Sequence, residues 1–203
     1  MPLIFTARKN QKLIVSKRQF DILVGSILGD AYITKLGKIQ IEHAISQTDY
    51  LRWKFKELFS ISYSGISFVK RIRNRKETYS CRFWTRQFFK SLRAKFYQSR
   101  HKCIPPEIVK LLTPFSLAVW YMDDGHLEKD RKRCIIATDG FDLKDLEILQ
   151  SALYKRFKID VTIKKDKKLL LNKNESLKFL ALIDEYKNSS MAYKFLNPLT
   201  TKT

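Results

Sequence analysis

Acidic residues are scarce in this chain of 203: twenty Asp and Glu stand against forty Lys and Arg, a formal net charge of +20. The excess is spread over the whole length and does not collect in a tail. Positive charge distributed in this way repels itself in a compact state, which favours a polyanionic partner over a merely solubilising surface. Cysteine is sparse as well. Cys81, Cys103 and Cys134 are odd in number and form no CxxC pair, so neither a disulfide framework nor a zinc site is expected, and a reducing compartment is. Long apolar runs are missing too. No stretch reaches the ~18 apolar residues of a membrane span, the first twenty residues hold no signal-peptide core, and there is no strongly amphipathic basic helix or lipidation motif. A membrane role is therefore not expected.

The composition that remains is that of a folded protein. It is 44% hydrophobic and 13% aromatic, more apolar area than disordered chains carry. A compact fold of this size buries roughly 70% of the surface its unfolded chain exposes, so a core is attainable without staples.

Helical spacing of Phe20, Leu23, Val24, Ile27 and Leu28 after a capping Ser16 predicts a helix over 17–28. Gly25 and Gly29 lie four apart on it. Each glycine costs about 1 kcal/mol relative to alanine in a helix, which makes sense where a second helix packs closely. Period-two alternation then predicts a hairpin, 31–35 and 38–47, around Leu36-Gly37. A helix over 49–59, strands over 66–72 and 78–85 joined by RNRKE, and an amphipathic helix over 86–98 follow, before Pro105-Pro106 interrupts the chain.

The second half repeats this order. Thr113 caps, Pro114 takes the first helical position, and LAVWYMDDG runs into two acids. A strand over 133–138, a helix over 142–157, short strands over 160–164 and 168–171, and a helix over 175–186 complete it. Asp30 precedes Asp124 by 94 residues, which reads as an internal duplication. The fold class is α+β in two copies, with subdomains over 1–110 and 111–203. In each half the strands alternate an apolar face with one rich in Lys, Arg, Gln, Thr or Ser, a basic surface suited to the DNA major groove.

Each repeat puts a carboxylate at a helix C-terminus, where the macrodipole opposes negative charge. If the two helices pack, Asp30 and Asp124 meet, and one pKa rises unless a cation neutralises them. Oxygen ligands select hard ions such as Mg²⁺, and paired acids beside a phosphodiester suit metal-assisted hydrolysis.

LVGSILGDA (23–31) and LAVWYMDDG (117–125) resemble the two signature helices of the LAGLIDADG homing endonucleases, in the single-chain form with two pseudo-symmetric halves. ILGDAYI at 27–33 and LTPFSLAVWYMDDG at 112–125 are similar to the branch that includes the yeast mitochondrial large-rRNA intron endonuclease. The resemblance implies two αββαββα subdomains with saddle-shaped antiparallel sheets, packed through their signature helices and gripping a long asymmetric DNA site. It implies a monomeric, metal-dependent endodeoxyribonuclease that uses Mg²⁺, with Mn²⁺ able to substitute, leaves short 3′ overhangs and promotes the mobility of its intron. An RNA maturase assisting group I intron splicing is the alternative. The expected location is an organelle (mitochondrion or chloroplast) or a bacterial or archaeal cytoplasm.

By the eighth motif position, the resemblance assigns metal binding to Asp30 and Asp124, with the backbone carbonyls of Gly29 and Asp123 assisting. The branch's K-x-I-P pattern nominates Lys102 in the first half and Lys194 in the second as catalytic bases or charge stabilisers. The spacings agree: 72 residues separate Asp30 from Lys102 and 70 separate Asp124 from Lys194. Strand alternation nominates Lys38, Gln40, Glu42, Lys70 or Arg71, Arg82 and Lys164 for DNA contact. His43, His101 and His126 show no metal-ligand spacing: His43 is read as a strand residue, and His126 as lying beside the signature helix end. Trp53, Trp84 and Trp120 are read as core.

Overall fold

The computed structural model describes residues 2–7, 10–128 and 132–195. Two helices form its centre, α1 (Lys17–Leu28) and α5 (Pro114–Asp124). Both open with the same device. The Ser16 hydroxyl accepts the Gln19 N–H while the Gln19 side chain accepts the Ser16 N–H, and Thr113 and Ser116 repeat this reciprocal cap ahead of Pro114. The helices then pack along their length. A Cβ on Gly25 would stand 2.4 Å from the Ser116 carbonyl oxygen, and one on Gly29 would stand 2.6 Å from the Asp123 Cβ. The absent side chains are what allow the two backbones this approach. Because each helix is covered by its partner and by its own half of the chain, the apolar positions are buried nearly all round. Ile22 to Val24, Ile27 and Leu117 to Met122 are fully enclosed.

Each half carries a four-stranded antiparallel sheet. The first contains β3 (Tyr32–Ile33), β4 (Ile39–Ala44), β5 (Ser67–Arg73) and β6 (Lys76–Trp84), in spatial order β3-β4-β6-β5. The second contains β9 (Gly125–Leu127), β10 (Cys134–Ile136), β11 (Thr162–Ile163) and β12 (Leu169–Leu171), in order β9-β10-β12-β11. The order is the same in both, so the duplication read from the acids extends to strand pairing. Gly37, at φ +82°, turns β3 into β4, and Asn74 and Arg75, both at positive φ, make the two-residue turn of the β5–β6 ribbon. Helices α2 (Thr48–Glu57), α6 (Leu143–Phe157) and α7 (Lys173–Ile183) follow the expected spans within one to three residues.

Other segments differ from the sequence expectation. The helix expected over 86–98 covers only Lys90–Phe96 (α3), because Tyr97–Gln98 (β7) leaves it to pair with His101–Lys102 (β8) across Ser99, which has φ +58°. The short apolar groups near the N-terminus form a hairpin, β1 (Leu3–Thr6) with β2 (Lys12–Val15). It seats Phe5 against Phe20 and Phe89 at 6.2 and 4.9 Å between ring centroids. Of the three tryptophans only Trp120 is fully buried; Trp53 and Trp84 are half-buried.

Candidate active site and nucleic-acid face

Asp30 lies just past α1 and Asp124 ends α5, where Gly29 and Asp123 bring the two helices together. Two lysines reach the same place from outside the signature helices. Lys102, on β8, donates from Nζ to the carbonyl oxygen of Gly29 at 2.8 Å. Lys194, in a 3₁₀ turn spanning Ser189–Lys194, donates to the carbonyls of Met122 at 2.6 Å and Asp123 at 2.8 Å. Gly29 and Asp123 each precede one motif acid, so the lysines take equivalent positions in the two halves. They also put cations at two helix C-termini, where the dipole favours them. Burial pushes both ammonium groups below the ordinary lysine range, against the pull of Asp30, Asp123 and Asp124 in the other direction.

The acids themselves are held differently. Burial, together with the charges of Asp30 and Asp123, pushes the Asp124 carboxyl up to about 7 in spite of Lys102 and Lys194. Burial acts the same way on Asp30, but its contact with His43 and the charges of His43, Lys54 and Lys194 outweigh that and hold it below the usual carboxylate range. His43 Nδ1 lies 3.2 Å from Asp30 Oδ2, and its Nε2 lies 3.2 Å from the Lys54 Nζ. The imidazole ring thus lies between Asp30 and the Lys54 ammonium.

Lys54 completes a network that the sequence reading did not find. Its ammonium, fully buried, bonds both oxygens of Asp123 at 2.7 and 2.9 Å, and the Tyr50 hydroxyl donates to the same carboxylate at 2.9 Å. Burial and the Asp123 charge push the Tyr50 phenol well above its ordinary value, so it remains a donor. The carboxylate of Asp123 therefore crosses from the second half into the first and is neutralised there. Asp30, His43 and Asp123 bring one ligand atom each within 4.8 Å of one another. However, the Lys54 ammonium already bonds both the His43 and the Asp123 members, so this trio is an ion-paired network and not a vacant cation cage. A sequence signal for it existed. Lys54 lies four residues after Tyr50 and four before Leu58, on the apolar stripe of α2, where an unpaired lysine would not be tolerated.

The polar faces of the sheets carry most of the DNA-contact candidates. Ile39, Ile41 and His43 point into the core, which puts Lys38, Gln40 and Glu42 on the outer face. Cross-strand pairing adds Arg82, opposite Glu42, and Ser80, opposite Val69. Of Lys70 and Arg71, only Arg71 shares this face, where it bonds Glu42 and Ser80. Lys70 points to the opposite side and pairs with Glu77 at 2.6 Å. Lys164 follows β11 in the second sheet, within 3.8 Å of Asp166. His126 lies on β9 just past Asp124, exposed, and His101 lies on β8.

Comparison with known proteins fits this arrangement. The chain is 28% identical to, and superposes with a TM-score of 0.82 on, the homing endonuclease I-WcaI bound to its DNA recognition sequence, covering 89% of this chain and 87% of that one. It is 29% identical to the probable intron-encoded endonuclease 1 of Wickerhamomyces canadensis over 93% of this chain and 88% of the relative. With the cytochrome b mRNA maturase bI2 of Debaryomyces hansenii it shares 28% identity over 90% of this chain and 75% of the relative. Among its other relatives are mycobacterial RecA proteins, of which the match spans about half the length, 47 to 49%. The model of the LAGLIDADG DNA endonuclease family matches residues 20–179, from the first signature helix to the last long helix. By that match, this chain belongs to the LAGLIDADG DNA endonuclease family.

Proposed function

We propose that this protein is a site-specific homing endonuclease that cuts both strands of a long, asymmetric double-stranded DNA site by metal-dependent hydrolysis, leaving short 3′ overhangs and promoting the mobility of its intron. The observation that carries the reading is the paired arrangement at the helix ends: two motif acids, each preceded by a carbonyl that a lysine from its own half holds. In this reading the protein acts as a monomer, with residues 1–110 and 111–203 as its two subdomains; the division falls within α4 (Ile108–Leu111), which packs on α6. An organelle that carries its own introns is the proposed location.

The donor set fits a hard divalent cation. Asp30, Asp124 and the carbonyl oxygens of Gly29 and Asp123 are all oxygen ligands, whereas Nε2 of His43 is taken up by the Lys54 ammonium. The raised pKa of Asp124 is the mark of a carboxylate short of positive charge, a shortage that a cation would relieve. Mg²⁺, with Mn²⁺ able to substitute, is the proposed ion. Bound there, such an ion supplies Lewis acidity and lowers the pKa of water to make a nucleophile at neutral pH. Lys102 and Lys194 add positive charge beside the position of the scissile phosphates. Lys38, Gln40, Glu42, Arg71, Arg82 and Lys164 are proposed for the DNA-facing surface.

A second reading, an RNA maturase that helps a group I intron fold, is favoured by the relative named as a maturase. The test is cleavage of a library of intron-insertion sequences with Mg²⁺, with EDTA, and with Asp30→Asn or Asp124→Asn. Cutting that needs the ion and both acids is the expected result. Tight binding of intron RNA with no DNA cut by the wild type would replace the endonuclease reading with the maturase one. Cleavage that survives Asp124→Asn would remove Asp124 from the metal site.

A further inference from the structure

A carboxylate in the middle of a surface that receives phosphates repels the ligand, and Glu42 is in that position. It lies on the outer face of β4, the second strand of its sheet, with Gln40 on one side and Arg82 directly across on β6. Burial gives no reason for it, since the core-facing residues of β4 are its neighbours Ile41 and His43. Its hydrogen bonds do. Oε1 accepts from Arg71 and, at 2.6 Å, from the Ser80 hydroxyl; Oε2 accepts from the Gln40 amide at 2.5 Å and lies 3.7 Å from the Arg82 guanidinium. Arg71 in turn donates to Ser80 at 2.9 Å. The Arg71 hydrogen bond, helped by Ser80 and Gln40, holds the Glu42 carboxyl at about 2, so it is ionised under any condition in which DNA is bound.

Two roles compete for such an acid. A glutamate in the major groove can accept directly from a cytosine amino group. A carboxylate has about four lone-pair sites, however, and here four side chains from three strands surround the two oxygens. Little acceptor capacity is left to face a base. By contrast, Arg71 and Arg82 each keep guanidinium donors that Glu42 does not use. An arginine already fixed in direction loses less freedom when it reads a guanine edge with two bonds than a free one does.

We propose that Glu42 is a positioning residue for sequence recognition: it reads no base, and it holds Arg71, Arg82 and Gln40 in the orientation in which they read one contiguous block of base pairs. The proposal rests on the DNA-recognition reading above. Its effect is on specificity and runs against affinity, because the acid repels every phosphate backbone equally.

The test is selection of bound sequences from a pool of random-sequence DNA duplexes, with the full chain and Ca²⁺ in place of Mg²⁺ to slow cutting. Wild type, Glu42→Gln and Arg71→Ala are compared, each with a thermal melt to show that it is folded. Glu42→Gln is expected to relax preference by about tenfold over a block of neighbouring base pairs that includes those relaxed by Arg71→Ala. Preference elsewhere is unchanged, and binding to unselected duplex becomes several-fold tighter. If Glu42→Gln leaves the whole preference profile as in wild type while Arg71→Ala alters it, the proposal is wrong and Glu42 is only a surface charge. If Glu42→Gln changes a single position at which wild type demands a C·G pair, Glu42 is a direct reader, and the proposal is equally wrong. A wild-type protein that selects no sequence at all defeats the DNA-recognition reading itself, a result distinct from the other two.

Discussion

The acids that end the two signature helices occupy matching places in matching halves, yet they are served by different neighbours. Three residues past each acid, Ile33 pairs with Ile39 and Leu127 pairs with Cys134. Four residues further along the chain lie His43, still on β4, in one half and Thr138, just past the end of β10, in the other. His43 faces Asp30. The Thr138 hydroxyl instead donates to the Lys167 carbonyl at 2.5 Å. The position before each acid also differs: Gly29 has no side chain, while Asp123 sends a carboxylate across to Lys54 and Tyr50. The first half therefore holds a buried cation and an oriented imidazole, and the second half supplies the extra negative charge they answer. Duplication has kept the frame and the two lysines while the charge balance has become shared between halves.

Breaking the shared pair should have the largest effect. Lys54→Met leaves the Asp123 carboxylate buried without its partner, and removing one member of a buried pair costs about 3–5 kcal/mol. For a chain of this size that is a fall in Tm on the order of 10 °C by calorimetry. Combining Lys54→Met with Asp123→Asn should recover much of the loss, since no charge is then stranded. A Lys54→Met protein that melts like the wild type would mean the pair does not join the halves.

The lysines test the part of the comparison that is symmetrical. Lys102→Met and Lys194→Met should each slow cleavage by about 10²-fold, the scale for losing one well-placed charge or donor at a developing oxyanion. Nicking assays on duplexes labelled on one strand at a time should show each substitution acting mainly on one strand, and a different strand in the two variants. Equal slowing of both strands by either variant would contradict one lysine per scissile phosphate.

The helix seam carries an intermediate effect. Gly25→Ala presses a methyl group against the Ser116 backbone carbonyl and the Val119 side chain, neither of which is the free end of a flexible chain. Overpacking of this kind costs about 1–3 kcal/mol, read as a lower urea midpoint. A variant as stable as the wild type would show that the helices can separate here without loss.

What the sequence made legible was whatever is written locally or repeated. Ser16 with Gln19, Thr113 with Pro114, and the four-residue spacing of Gly25 and Gly29 each carry their meaning within one turn of helix, and the second copy doubled every signal. The lysines were nominated by the K-x-I-P pattern of the branch the chain resembles, and a spacing that recurs in both halves agrees with them. Tyr97 was misread because what ends α3 is distant: its hydroxyl accepts the Ile33 N–H, 64 residues away in sequence, and β8 waits to pair with it. The Lys54 network was missed for the same reason, because its members come from α2, β4 and α5 and no window of sequence contains them. Alternation left Lys70 or Arg71 open, because the pattern alone does not say which of two adjacent cations points outward; the pairing with Glu42 puts Arg71 on the outer face.

The smallest expected effect gives the sharpest test, because it turns on sign. In the metal-free protein the Asp124 carboxyl is raised to about 7, above its unfolded value, so the folded state resists its ionisation. Its ionised form therefore costs stability above that pKa, and the cost disappears as pH falls from about 7 toward 4. Asp30 is the opposite case. Its folded pKa is depressed, so it contributes stability that is present above the unfolded pKa and lost as pH falls through the folded value. In EDTA at pH 8, Asp124→Asn should accordingly raise Tm by a few degrees and Asp30→Asn should lower it. The Asp30 shift should be the smaller of the two, because its side chain is 43% exposed and solvent screens its charges. At pH 4.5 the gain from Asp124→Asn should vanish, since wild-type Asp124 is then protonated too. Shifts of the same sign in both variants at pH 8 would mean that the two acids share one environment, and that His43 and Lys54 do not distinguish the halves.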